Sequence, residues 1–79
     1  MNTKTERTRF WSSPDTTTCI QFRTDTDPKV WIHTNLGWVP IGNTPDDAGA
    51  AEAFAVDVAA GYKLEEASED TARYMAGWE

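Results

Sequence analysis

The stretch Lys29-Val30-Trp31-Ile32-His33-Thr34-Asn35-Leu36-Gly37-Trp38-Val39-Pro40-Ile41 decides the fold. From Lys29 to Thr34 it alternates, with Val30 and Ile32 on one face and Trp31 and His33 on the other, the two-residue period of a half-buried strand. Thr34-Asn35-Leu36-Gly37 fits a type I turn closed by Gly37 in the left-handed region, a three-residue hairpin loop. Trp38–Ile41 is then the returning strand, and Pro40 suits an edge because it has no N–H to donate. Under such a loop Trp31 and Trp38 fall on opposite faces, one turned to the core and the other to a partner or a second copy.

Working outward toward the N-terminus, Asp25-Thr26-Asp27-Pro28 is a turn signal, because proline presets φ and aspartate bonds its own backbone. Before it, Thr18, Ile20 and Phe22 share one side of a second strand, with Cys19, Gln21 and Arg23 on the other. Thr8–Ser12 reads as a further edge strand ahead of the loop at Ser13-Pro14-Asp15. Toward the C-terminus, Thr44-Pro45-Asp46-Asp47 reads as a helix start: Thr44 to cap, Pro45 at the first position, two aspartates at the positive end of the dipole. The helix continues through alanine-rich sequence to Ala60, with Gly61 as its stop. Ala48, Ala51, Ala55, Val58 and Tyr62 form its apolar stripe, with Phe54 at the edge. A second stretch, Leu64–Trp78, has helical spacing at Leu64, Ala67, Thr71, Tyr74/Met75 and Trp78. Its start has an alternative, in which Tyr62–Ala67 is extended and Ser68 caps a shorter helix.

The sequence thus predicts an α+β fold. A small antiparallel sheet of three to four strands, over about residues 8–42, packs on one or two C-terminal helices at about 45–60 and 64–77. With 79 residues, the chain reads as one domain, 1–79, burying only about 60% of the surface its unfolded form exposes. A cofactor crevice between two lobes is not expected, and no run approaches the roughly 20 apolar residues of a membrane span. Met1–Arg9 is polar and leads into no apolar run, so no secretory leader is predicted. Cys19 is the single cysteine, which fits a reducing cytoplasm and excludes an internal disulfide or a cysteine-based zinc site of ordinary type.

Catalytic signatures are missing from the pattern. His33 is the lone histidine, and Cys19, Ser12 and Ser13 are the obvious nucleophiles for it, yet no motif surrounds them. His33 reads as a strand histidine beside Trp31, and Cys19 as a small apolar residue in a sheet. The five glycines form no phosphate-binding loop, and aspartates at the helix start repel an anion. Neither His-x-His nor Glu-x-x-His spacing occurs, so no metal or cofactor is expected, and the chain reads as non-enzymatic.

Charge carries the functional expectation. The net charge is −6. Residues 1–45 hold five cations (Lys4, Arg7, Arg9, Arg23, Lys29) against four carboxylates, or +1. Residues 46–79 hold nine carboxylates against Lys63 and Arg73, or −7. An acidic half repels nucleic acid and anionic membranes and attracts basic surfaces. If Leu64–Trp78 is helical, Glu65–Glu69 and Glu66–Asp70 are like-charge i,i+4 pairs, each costing a few tenths of a kcal/mol, with only Glu69–Arg73 in compensation. Two such rows can stand in for successive phosphates. In length and charge, though in no motif, the chain is similar to small acidic inhibitors of phages and mobile elements, anti-CRISPR and anti-restriction proteins among them.

The expected partner is therefore a protein with a basic, nucleic-acid-binding surface. Glu65, Glu66, Glu69 and Asp70 would make the contacts, with Tyr74 or Trp78 as apolar anchor and Trp31 or Trp38 as a further contact. No direct nucleic acid and no membrane are expected as partners. Two other readings compete. One is an accessory module that forms a homodimer through sheet edges or a tryptophan face, with acidity serving solubility. The other is a single-strand binder using Arg7, Arg9, Arg23 and Lys29 among Trp11, Trp31 and Phe22.

Overall fold

In the computed structural model, which describes residues 7–76, the alternating N-terminal half forms four strands: β1 (Thr8–Ser12), β2 (Cys19–Arg23), β3 (Val30–Thr34) and β4 (Gly37–Pro40). They pair as an antiparallel meander. After them come helix α1 (Ala48–Gly61), a fifth strand β5 (Glu65–Ala67) and helix α2 (Glu69–Ala76). β5 pairs antiparallel with β1, giving the order β4-β3-β2-β1-β5. The fold is α+β, as the sequence predicts, with one strand more than expected.

Cross-strand pairs share a face, so the register sorts the side chains. Trp11, Ile20, Phe22, Val30 and Ile32 fall on one side, where Ala51, Ala55 and Ala59 of α1 meet them with Phe54 and Val58. The three alanines, all essentially inaccessible, let the helix lie close to the sheet. Tyr62, expected on this stripe, is 53% exposed, because the helix ends there. On the opposite side, Phe10 and Cys19 pack with Ala72 of α2 and with Trp38. The two helices thus cover opposite faces, α1 over β2 and β3, α2 over β1.

Both ends of α1 differ from the expected ones. Asp47, not Thr44, is the N-cap, and its side chain accepts a hydrogen bond from the Ala50 amide at 2.9 Å. The Thr44 hydroxyl instead donates to the Ile41 carbonyl at 2.6 Å, holding a turn before the helix. At the other end Gly61 is still helical. Lys63, at φ 60°, takes the left-handed position. The Leu64 amide bonds the Ala59 carbonyl at 2.9 Å and the Lys63 amide bonds the Ala60 carbonyl at 3.0 Å, the paired closure of a Schellman motif. Its apolar contact is Leu64 with Ala59, both in the core.

The second helix begins at Glu69 rather than near Leu64. Glu65–Ala67 is extended, and the Ser68 hydroxyl accepts from the Thr71 amide at 3.2 Å. Of the extended alternative, Tyr62–Ala67, the strand is Glu65–Ala67, while Tyr62 and Lys63 belong to the closure of α1. Trp78 lies outside the described residues.

Candidate functional site

The hairpin places both exposed-strand tryptophans on one side of the sheet. Thr34 pairs with Gly37, His33 with Trp38, and Trp31 with Pro40, so only Asn35 and Leu36 separate the paired ends. Gly37 is left-handed as expected, at φ 100°. A three-residue loop would have paired Thr34 with Trp38 and turned that indole to the other face. The shift of one residue in register reverses the side. Trp31 and Trp38 are therefore neighbours on the face opposite α1, contrary to the expectation that the loop separates them.

Among the described residues, α2 covers this face over β1 and leaves the part over β3 and β4 without a helix. There Gln21, Arg23, Thr26, Trp31 and Trp38 line an open cleft of about 270 Å³. Four of these five side chains are held. The Trp31 indole N–H donates to the Pro28 carbonyl at 2.9 Å and lies 3.3 Å from the Thr26 hydroxyl, which itself donates to Pro28. Trp38 stands edge-on to His33, with ring centroids 5.0 Å apart and planes at 63°. Arg23 binds Asp25 through two hydrogen bonds, at 2.9 and 2.8 Å. Gln21 and Thr26 are not among the residues expected at a partner site, and Arg23 is expected only by the single-strand reading. The alternation of β2 placed Gln21 and Arg23 away from Ile20 and Phe22, and correct pairing with β3 brings them beside Trp31.

The expected acidic ridge does not form. Glu65 and Glu66 lie on β5 and point to opposite sides, while Glu69 and Asp70 start α2. Neither i,i+4 like-charge pair shares a helix. Glu66 is held by Arg9, whose Nε and Nη2 donate to its two oxygens at 2.8 and 2.6 Å. The same guanidinium donates through Nη1 to Glu52 of α1 at 2.6 Å, and Arg7 pairs with Glu52 as well. Arg9 also sits 4.8 Å from the centre of the Trp11 ring. Its hydrogen bonds to Glu66 and Glu52 raise its pKa further, and hydrogen bonds from Arg9 hold both carboxyls below the usual glutamate range. Glu69 pairs with Arg73 at 2.9 Å, as the spacing predicts. Glu65 and Asp70 remain exposed, as does Tyr74, at 87%.

The basic residues of the single-strand reading do not make one surface. Trp11 and Phe22 are buried under α1 on one side, and Trp31 stands on the other. Arg7 and Arg9 are tied to Glu52, and Arg23 to Asp25.

Ser12, Cys19, His33 and Trp38 form one cross-strand row, so the fold brings together the nucleophile and base types that the sequence leaves unconnected. Burial determines their chemistry. Cys19 is fully inaccessible and desolvation pushes its thiol up to about 12, which keeps it protonated and unreactive. The His33 Nδ1 lies 3.2 Å from the Thr17 carbonyl. A carbonyl only accepts, so Nδ1 carries the proton. Among the described residues no group of three histidine, cysteine or carboxylate side chains is placed to hold a metal ion, and no helix is long and apolar enough to cross a membrane.

Comparison with protein-family models, with curated proteins and with solved structures finds no match for this chain.

Proposed function

We propose that this protein is a small acidic binding module that performs no chemistry of its own and docks on a basic surface of another protein through the open half of its sheet. The observation that carries this reading is the pair Trp31 and Trp38 on one face, bordering a cleft over β2, β3 and β4. Tryptophan is the commonest energetic anchor of protein interfaces, since it hides a large area with few rotatable bonds. Here both rings are positioned before any partner arrives, which lowers the entropy cost of docking.

Charge supports the choice of partner. Asp15, Asp27, Asp46, Asp57, Glu65 and Asp70 are exposed and form no ion pair among the described residues. Their field draws basic surfaces and repels phosphate backbones. Acidity acts in this reading by attraction over distance, while the tryptophans supply the contact. Where the covered surface is one that the partner uses to hold nucleic acid, the module acts as an inhibitor.

Capture from a host extract tests the reading. The wild-type chain enriches one basic protein. Trp31→Ala and Gln21→Ala together lose at least tenfold of it while keeping the native circular dichroism, and Glu65→Lys with Asp70→Lys loses less. Undiminished capture by the cleft variant would overturn the proposal. A second reading, self-association along β4, draws on the exposed Leu36 (87%) and Val39 (41%) at that edge. Pro40 opposes it by removing a donor. A concentration-independent monomer mass in sedimentation equilibrium would end it.

A further inference from the structure

We propose that a second copy of this chain seats on the open half of the sheet, the Asn35-Leu36 loop of each copy entering the cleft between Trp31 and Trp38 of the other. The inference goes beyond the docking reading and does not depend on it. Both use one face, so a second copy and a basic partner compete for it.

Three observations select a second copy. First, charge. The chain carries −6, yet residues 16–45 hold Arg23 and Lys29 against Asp25 and Asp27, which sums to zero. From Val30 to Pro45 there is no Asp, Glu, Lys or Arg at all. Arg23 is the one charged side chain lining the cleft, and both oxygens of Asp25 clasp it. A two-fold contact sets a surface against itself, so that surface must be compatible with its own charge. The segment from β2 to β4 meets this condition, whereas residues 46–79, at −7, do not. Second, fit. Leu36 is an exposed apolar side chain on the two-residue loop between β3 and β4, and the cleft offers it two indole walls. Seating one in the other hides apolar surface on both copies. Third, polar match. Gln21 in the cleft and Asn35 beside Leu36 are both carboxamides, and neither side chain is hydrogen-bonded among the described residues. Each has donors and an acceptor, so the two satisfy one another without charge. This contact asks nothing of main-chain donors along β4, so Pro40 is no obstacle to it. An open cleft of about 270 Å³ gives a contact smaller than the roughly 800 Å² per partner of a standard interface, and the dimer dissociates on dilution.

The experiment is sedimentation equilibrium of the full chain over a concentration series, joined to isotope-filtered NMR on mixed labelled and unlabelled protein. The mass is expected to rise from monomer toward dimer with concentration. It should do so more steeply at about 300 than at about 20 mM NaCl, because salt screens the repulsion between two copies of charge −6. Leu36 methyls of one copy should show cross-peaks to the Trp31 ring of the other. Leu36→Asp and Trp31→Ala should each weaken dimerisation about tenfold with unchanged circular dichroism. A monomer mass at every concentration would overturn the inference, as would a dimer without those cross-peaks, which is pairing along the β4 edge. A dimer that weakens as salt rises would overturn it too, since opposite charges would then hold the contact. If the chain stays monomeric while capture of the basic partner still depends on Trp31, the inference falls and the docking reading stands. If the cross-peaks appear while capture is indifferent to Trp31, the inference stands and the docking reading falls.

Discussion

At the scale of single residues, the two helix ends show how small local choices set stability. Asp47 closes the start of α1 by accepting from Ala50, so Asp47→Ala should cost about 1 kcal/mol, read in urea midpoints at unchanged m-value. Lys63 sits left-handed at φ 60°, where a Cβ is unfavourable by about 1 kcal/mol. Lys63→Gly should therefore raise stability only slightly, by up to about 0.5 kcal/mol after the entropy of a new glycine is counted. The sequence points two residues away, to Gly61, because glycine is the usual stop. The actual stop is chosen by Leu64, whose burial against Ala59 fixes where the chain must turn. The same logic applies at Thr44, a good cap by type that is used instead to close a turn on Ile41.

At the scale of elements, Arg9 binds three of them together: it stands on β1, reaches Glu52 on α1 and clasps Glu66 on β5. Arg9→Met should cost about 1 to 2 kcal/mol, because the ion pairs are only partly screened and the Trp11 contact is lost too. Acid should act through the same network. Both glutamates are held below their ordinary value of 4.5 when folded, so their contribution is complete above that value and disappears as pH falls through the lower folded values. Urea titrations across the acidic range should show wild type losing more stability than Arg9→Met, and equal losses would refute this role. β5 itself leaves the weakest trace in the sequence. It is three residues long, too short to show a period, and its partner β1 is more than fifty residues earlier. Leu64, Ala67 and Thr71 carry helical spacing by coincidence of a strand followed by a helix. The meander was legible because β1 to β4 each alternate and are joined by turns whose residues are written in sequence. What alternation does not give is the loop length, and one residue there changed the face of Trp38.

At the scale of the whole molecule, the tryptophans could be picked out as candidate contacts, but their meeting in one cleft needed the register. The acidic residues were equally visible, whereas their sorting into neutralised and unneutralised groups depended on Arg9 and Arg73 finding Glu66 and Glu69. The carboxylates left without a cation have two opposed effects. They repel one another in the folded chain, which lowers its stability, and they attract a basic partner, which speeds encounter. The close pairs at 2.6 to 2.9 Å are much shorter than the Debye length of about 10 Å at 0.1 M salt, so salt acts mainly on the unpaired groups. Raising NaCl from about 20 to 300 mM should therefore raise the melting temperature of the free protein and weaken its hold on the partner, chiefly through a slower association rate. Calorimetric melts and surface-based kinetics over one salt series measure both. If binding is as tight at high salt as at low, long-range attraction contributes nothing and contact in the cleft must account for recognition alone. If the melting temperature falls instead, the internal ion pairs outweigh the repulsion between Asp15, Asp27, Asp46, Asp57, Glu65 and Asp70.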